Sequence, residues 1–323
     1  MAGQEEAQSV ARQQPASTWP RRLARLGAGV LALVVSIAGQ VVLLAILAFS
    51  ETRRLEVVQI EAELPHLSPA WSGETVAVLG DFQLGLFWDN MRTAEKAVQH
   101  CLDADPCAVL LLGDFVYRME EAGDEVGRVR RVLQPLADSD IPVFAVLGNH
   151  DHGMAWQDDD SHQEHGATVQ AMLIDLGIEL LDNRHARIQN GTAGALHVVG
   201  LGSAYAEDDH CDLALLGLDE TTPRIVMMHN PESFRDIAAD AAPVAFAGHT
   251  HGGQIRLPWT PDWEWVTWFK RHYPPMDGWA EPSWGAGTNR LYVNRGIGMS
   301  QVPLRLNCLP ELTLVTLRAT DAD

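Results

Sequence analysis

Six short apolar runs set the limits on what this chain can become: TVAVLG (75–80), AVLLLG (108–113), PVFAVLG (142–148), LHVVGLG (196–202), RIVMMH (224–229) and VAFAG (244–248). Each is too short for a core helix and too continuous for a half-exposed strand, so each reads as a strand covered on both faces. Helical patterns fall between several of them, at MRTAEKAVQHCL (91–102), EVGRVRRVLQPLA (125–137) and ESFRDIAAD (232–240). LEVVQIEAEL (55–64) alternates apolar and polar positions, which predicts a further strand, and RLYVNRG and LTLVTLR add two near the C-terminal end. Strands alternating with helices mean an α/β fold with much parallel pairing. No internal repeat and no linker divides residues 55–323, which read as one domain.

Chemistry-bearing residues fall at the ends of these runs. Asp81 follows the first, Asp114 the second, and Asn149 and His150 the third; His229 closes RIVMMH, and His249 and His251 follow VAFAG. A single Asp at a strand end is ordinarily a helix cap, and a single His ordinarily a hydrogen-bonded structural residue. Five strands repeating the pattern point instead to one site along the C-terminal edge of a sheet.

Charge narrows the substrate. The chain holds 43 Asp and Glu against 23 Lys and Arg, a formal net charge of −20. Nucleic-acid binding depends on neutralising phosphates with Lys and Arg, so this surface argues against it. Any phosphate chemistry needs local positive charge, and metal ions supply it. The four cysteines (Cys101, Cys107, Cys211 and Cys308) form no C-x-x-C pair and read as buried thiols.

Residues 26–49 carry no charge, and only Ser36 and Gln40 are clearly polar. As a helix the run reaches ~36 Å against a hydrocarbon core of ~30 Å, which predicts a transmembrane anchor. Arg12, Arg21, Arg22 and Arg25 precede it, and Arg53 and Arg54 follow. That bias sets residues 1–25 as a disordered cytoplasmic tail, with the 55–323 domain outside the cell membrane on a single uncleaved span.

GD…GDFV, GNHD, HNP and GHTHGGQ together resemble the calcineurin-like metallophosphoesterase superfamily. GHTHGGQIRLP and the tail RLYVNRGIGMSQVPLRLNCLPELTLVTL are similar to its bacterial membrane-associated and exported branch. The likeness runs from about residue 74 to 318, and GNHD and GHTHGG about a hundred residues apart are its specific part. It implies a four-layer α/β/β/α sandwich holding two divalent metal ions. Asp81, position 83 and His251 would hold the first ion, Asp114 would bridge, and Asn149, His229 and His249 would complete the second. His150 would contact phosphate and protonate the leaving oxygen, with Asp151 orienting it. Position 83 is Gln where an Asp-x-His would be expected. A neutral amide oxygen in place of imidazole tilts the first site from Zn²⁺ toward Mn²⁺, Mg²⁺ or Fe²⁺.

Three features stand outside that pattern. Arg118 in GDFVYR is similar to the phosphate-gripping Arg of Ser/Thr protein phosphatases, but Tyr117 and Met119 break the signature. His152, His162 and His165 read as a solvated loop over the site. Residues 258–284 hold six of the ten tryptophans, so this stretch reads either as a packed loop or as an interfacial patch. The expected activity is hydrolysis of a phosphodiester or pyrophosphate, on a small molecule or a lipid-linked envelope molecule. The alternatives are a phosphomonoesterase or protein phosphatase, and a non-catalytic metal-binding scaffold.

Overall fold

The computed structural model describes residues 19–86, 90–119, 124–189, 194–256 and 274–320. The chain divides into two compact units, Met1–Ile46 and Leu47–Asp323. Helix α1 (Trp19–Glu51) runs unbroken, and its stretch Arg25–Glu51 has a mean hydropathy of 2.8, long and apolar enough to cross a membrane. The predicted tail lies largely outside the described residues.

Among the described residues the second unit is built on two six-stranded sheets. The first has the order β1 (Glu56–Pro65), β12 (Glu311–Thr320), β2 (Thr75–Leu79), β3 (Ala108–Leu111), β4 (Val143–Ala145) and β5 (Glu179–Leu180). Only the β12–β2 pairing is antiparallel. The second has the order β10 (Gly278–Trp279), β11 (Leu291–Val293), β9 (Ala245–Ala247), β8 (Arg224–Met227), β7 (Ala195–Gly200) and β6 (Arg184–Gln189). Its two outermost pairings are antiparallel and the inner three parallel.

The continuous apolar runs follow from burial on both faces. In β2, Val76 and Val78 point into the core between the sheets, while Ala77 and Leu79 point to the opposite side. There they meet Ala94, Ala97 and Val98 of α2 (Met91–Asp103), Val132 and Leu136 of α3 (Glu125–Ala137), and Val169 and Leu173 of α4 (Gln163–Asp175). In β8, Ile225 and Met227 face the inter-sheet core; Val226 faces a third core with Phe234, Ile237 and the short helix α5 (Cys211–Ala214). Three apolar cores separate four layers, the α/β/β/α arrangement expected.

The helical pattern at 232–240 departs from expectation. The chain there is a 3₁₀ turn, Pro231–Asp236, ending where Ile237 becomes extended. A three-residue turn aligns positions i and i+3, which brings Phe234 and Ile237 to the same core. The segment read as a solvated loop is in part helix, since α4 begins at Gln163 and takes in His165.

Phe246 is fully buried between the sheets, with its ring 6.2 Å from that of Tyr292. Phe246→Ala is expected to lower unfolding free energy by about 3–5 kcal/mol. Urea unfolding of the metal-free protein measures this, and a loss under about 1 kcal/mol would mean the inter-sheet core is not tightly packed there.

Candidate active site

Parallel strands of both sheets end at the same rim. Asp81 and Gln83 follow β2, Asp114 follows β3, and Asn149 and His150 follow β4; His229 follows β8, and His249 and His251 follow β9. Five of these residues have left-handed backbone: Asp81 (φ 49°), Gln83 (50°), Asp114 (53°), His249 (72°) and His251 (50°). That conformation costs of order 1–2 kcal/mol for a residue with a Cβ. Hydrogen bonds between neighbouring loops hold it in place. Asp81 N donates to Gly113 O at 2.9 Å and Gln83 N to Asp114 O at 2.9 Å.

Asp151 is the clasp between two of the loops. Its buried carboxylate accepts from the backbone N–H groups of Gly148 (2.9 Å), Asp114 (2.8 Å), Phe115 (2.9 Å) and Val116 (3.3 Å). The orienting group on the His150 ring is instead the Tyr117 carbonyl, 2.7 Å from Nδ1. Because a carbonyl only accepts, Nδ1 carries a proton and Nε2 is left for chemistry. A Cβ on Gly148 would come within 2.1 Å of Asp114 Oδ1, so that turn requires glycine.

The side chains converge in two overlapping groups. Asp114, His229 and His249 form one; Asp81, Asp114 and His251 form the other, with ligand-type atoms within 4.8 Å of one another in each. Asp114 belongs to both. Its Oδ1 accepts from His150 N at 2.9 Å, and its Oδ2 accepts from Gln83 Nε2 at 2.6 Å and lies 3.3 Å from His229 Nε2. Asn149 Oδ1 is 3.1 Å from His229 Nε2 and 3.0 Å from His249 Nδ1. Asp81 accepts from His249 N at 2.9 Å, and its Oδ1 lies 3.7 Å from His251 Nε2.

These atoms fit a divalent ion. His229 Nδ1 faces the Leu112 carbonyl at 2.8 Å and therefore holds a proton, so its Nε2 lone pair points at Asp114 Oδ2 and Asn149 Oδ1. Facing lone pairs repel unless a cation or proton lies between them. The buried acceptor Gln83 Oε1 and the buried ring nitrogen His251 Nδ1 also have no hydrogen-bond partner. Without metal a proton takes the cation's place. Burial disfavours a charged His229, but the Asp114 carboxylate outweighs it and pushes the ring up to about 9. Burial likewise raises Asp114, yet the neighbouring His229 and His150 rings win and hold it well below the usual carboxylate range. Asp81 is pushed up to about 7, by burial first and the nearby Asp114 charge also, against the opposing pull of His229. Burial and then the Arg305 charge keep the His251 ring neutral.

The other sequence candidates lie apart. Arg118 is exposed. The His162 and His165 rings face each other at 4.9 Å, and His152 packs against Gly166; none of the three joins either ligand group. Most of the Trp-rich stretch lies outside the described residues. Of its described members, Trp279 is half-buried with Arg290 stacked on it at 4.3 Å, and Trp284 is half-buried with Arg235 5.2 Å away. All four cysteines are free thiols.

Sequence reasoning missed three residues. Arg305 is fully buried and donates to the carbonyls of His251, Arg295, Gly296, Gly298 and Cys308, bracing the loop behind His251. Asn230, beside His229, accepts from Ser203 Oγ and Ala204 N. Tyr205 brings its hydroxyl to 3.1 Å from His249 Nε2. The one local signal was the Asn of HNP, adjacent to a ligand candidate; a lone Arg and a lone Tyr carry none.

Residues 74–253 match the calcineurin-like phosphoesterase family. The phosphodiesterase YaeI of Escherichia coli is 29% identical over 67% of this chain and 72% of its own. The Bacillus subtilis protein YpbG is 30% identical over 69% of this chain and 73% of its own. The UDP-2,3-diacylglucosamine pyrophosphatase LpxG of Chlamydia trachomatis is 24% identical over 77% of this chain and 85% of its own.

Because protons compete for the same lone pairs, Mn²⁺ affinity is expected to fall with pH. As pH falls, the ion beside His229 should show a slope of about one proton below pH 9, and the ion beside Asp81 a slope of about one proton only below pH 7. Mn²⁺ titrations at stepped pH measure this, and an affinity constant from pH 6 to 9 would rule out these groups as ligands.

Proposed function

The chain belongs to the calcineurin-like phosphoesterase family and is a hydrolase of phosphoric esters, and from that premise we propose that it cleaves a phosphodiester or pyrophosphate at a two-metal centre. The observation that carries this is Asp114, shared by two ligand groups. Asp81, Gln83 and His251 would hold one ion, Asn149, His229 and His249 the other, with Asp114 common to both. When bound, such ions supply positive charge to the phosphoryl oxygens and acidify water. Gln83 presents its unpartnered amide oxygen as the sixth of these six unshared ligands, while its Nε2 steadies Asp114. A neutral oxygen donor there favours Mn²⁺ over Zn²⁺.

His150 handles the leaving group. With Nδ1–H fixed on Tyr117 O and the ring stacked 5.2 Å from that of Tyr117, Nε2 points away from that contact, and in the doubly protonated, cationic ring it gives its proton to the departing oxygen and returns to a lone pair. Similarity to a protein named a phosphodiesterase and to one named a pyrophosphatase supports a diester or anhydride substrate here. The exposed Arg118 and broken signature weigh against a protein phosphatase. The apolar helix, Arg-rich on its N-terminal side, supports a membrane-anchored enzyme with its catalytic domain outside the cell. A lipid-linked or envelope substrate suits that placement.

With Mn²⁺, the purified protein is expected to hydrolyse bis-p-nitrophenyl phosphate faster than p-nitrophenyl phosphate. Hydrolysis of neither would overturn the enzyme reading, and the reverse order would favour the monoesterase. His150→Asn should lower kcat about 10²–10⁴-fold on esters with alkoxide leaving groups, and much less on nitrophenyl esters that leave without a proton. An equal loss on both would remove His150 as the acid. Gln83→His should tighten the first ion and shift preference toward Zn²⁺; unchanged affinity and selectivity in competition titrations would mean that Gln83 is not a ligand.

A further inference from the structure

Tyr205 lies in the turn after β7, on none of the strands that carry the ligand candidates. Its hydroxyl is 3.1 Å from His249 Nε2, and its ring stands edge-on to the imidazole at 4.8 Å. The other nitrogen, Nδ1, faces Asn149 Oδ1 at 3.0 Å, inside the ligand group formed with His229 and Asp114. An imidazole can present Nδ1 as a lone pair only when Nε2 carries the proton, and that proton then needs an acceptor. Tyr205 Oη is an acceptor within reach.

The turn that holds Tyr205 is itself tied to the ligand strands. Asn230, the residue after His229, accepts from Ser203 Oγ at 3.3 Å and Ala204 N at 3.1 Å. Asp208 N closes the turn on Ser203 O at 3.1 Å, and Glu207 takes a left-handed backbone to do so. A continuous path therefore runs from His229 through Asn230 and the 203–206 turn to Tyr205, and from its hydroxyl to His249. It fixes the two histidine rings, 5.2 Å apart, relative to each other.

We propose that Tyr205 is a positioning residue for the second ion: its hydroxyl accepts the Nε2 proton of His249 and holds the Nδ1 lone pair toward Asn149, His229 and Asp114. The inference rests on the two-metal reading above and adds the residue that sets the affinity of one of the two ions. Losing a hydrogen bond to the outer nitrogen of a ligating histidine typically weakens metal binding by about 10- to 100-fold.

Tyr205→Phe removes only the hydroxyl. Mn²⁺ titration of wild type and variant, followed by the electron paramagnetic resonance signal of a spin-coupled Mn²⁺ pair, separates the possibilities. The expected result is two ions in the wild type. In the variant the first ion should bind as before, while the second binds about tenfold or more weakly, its pair signal emerging only at correspondingly higher Mn²⁺. Damage to the fold would weaken both ions together and lower the metal-free melting temperature, and that outcome overturns a specific role for the hydroxyl. Identical affinities for both ions in wild type and variant also overturn it. A wild type that takes up only one ion brings down the two-metal reading and this inference with it.

Discussion

Four backbone N–H groups donating to one buried carboxylate hold the rim together. Asp151 ties the loop after β3, which carries Asp114, to Gly148 at the start of the loop that carries Asn149. The carboxylate is spent on backbone, so it does no chemistry directly; it turns two independent strand ends into one surface. Hydrogen bonds to a charged acceptor are roughly twice as strong as neutral ones, and burial removes competing water. The rim of ligand candidates thus leans on a residue whose hydrogen-bond partners are main-chain N–H groups.

The five left-handed residues explain how so many donors fit in so small a volume. A strand delivers its side chains alternately to two faces, neither of which is the rim. Left-handed backbone at the ligand candidates themselves, in the loops just past β2, β3 and β9, breaks that alternation at the sheet edge. The conformational cost is concentrated where the ligand candidates are, as expected where packing and hydrogen bonds over-determine a functional site. The donor types extend the same logic: lone pairs face lone pairs around Asp114, an arrangement stable only with positive charge among them.

Most of the fold was legible because both faces of the central strands are buried, leaving unbroken apolar runs such as AVLL in β3. The helices α2 and α3 were legible from their periodicity. The 231–236 turn was not, because an i, i+3 match of Phe234 and Ile237 serves 3₁₀ and α geometry alike. The ligand candidates were readable from their place after each strand together with GNHD and GHTHGG. The resemblance gave Asp151 a role on the His150 ring, whereas its hydrogen bonds in the folded chain all run to main-chain N–H groups, which no sequence pattern shows. Arg305 and Tyr205 left no trace, since a single polar residue in a loop becomes informative only once the folded chain shows what it meets.

The pairing of Asp81 with His249 joins residues 168 apart in sequence, and His229 reaches the Leu112 carbonyl across 117. Contacts this distant are the slowest to form, because each must close a large loop before any stabilisation is returned. Residue 305, which braces His251 from behind, comes later still in the chain. The contacts that assemble the ligand candidates therefore span most of the chain's folded domain. The full set of ligand candidates comes together only in the folded domain.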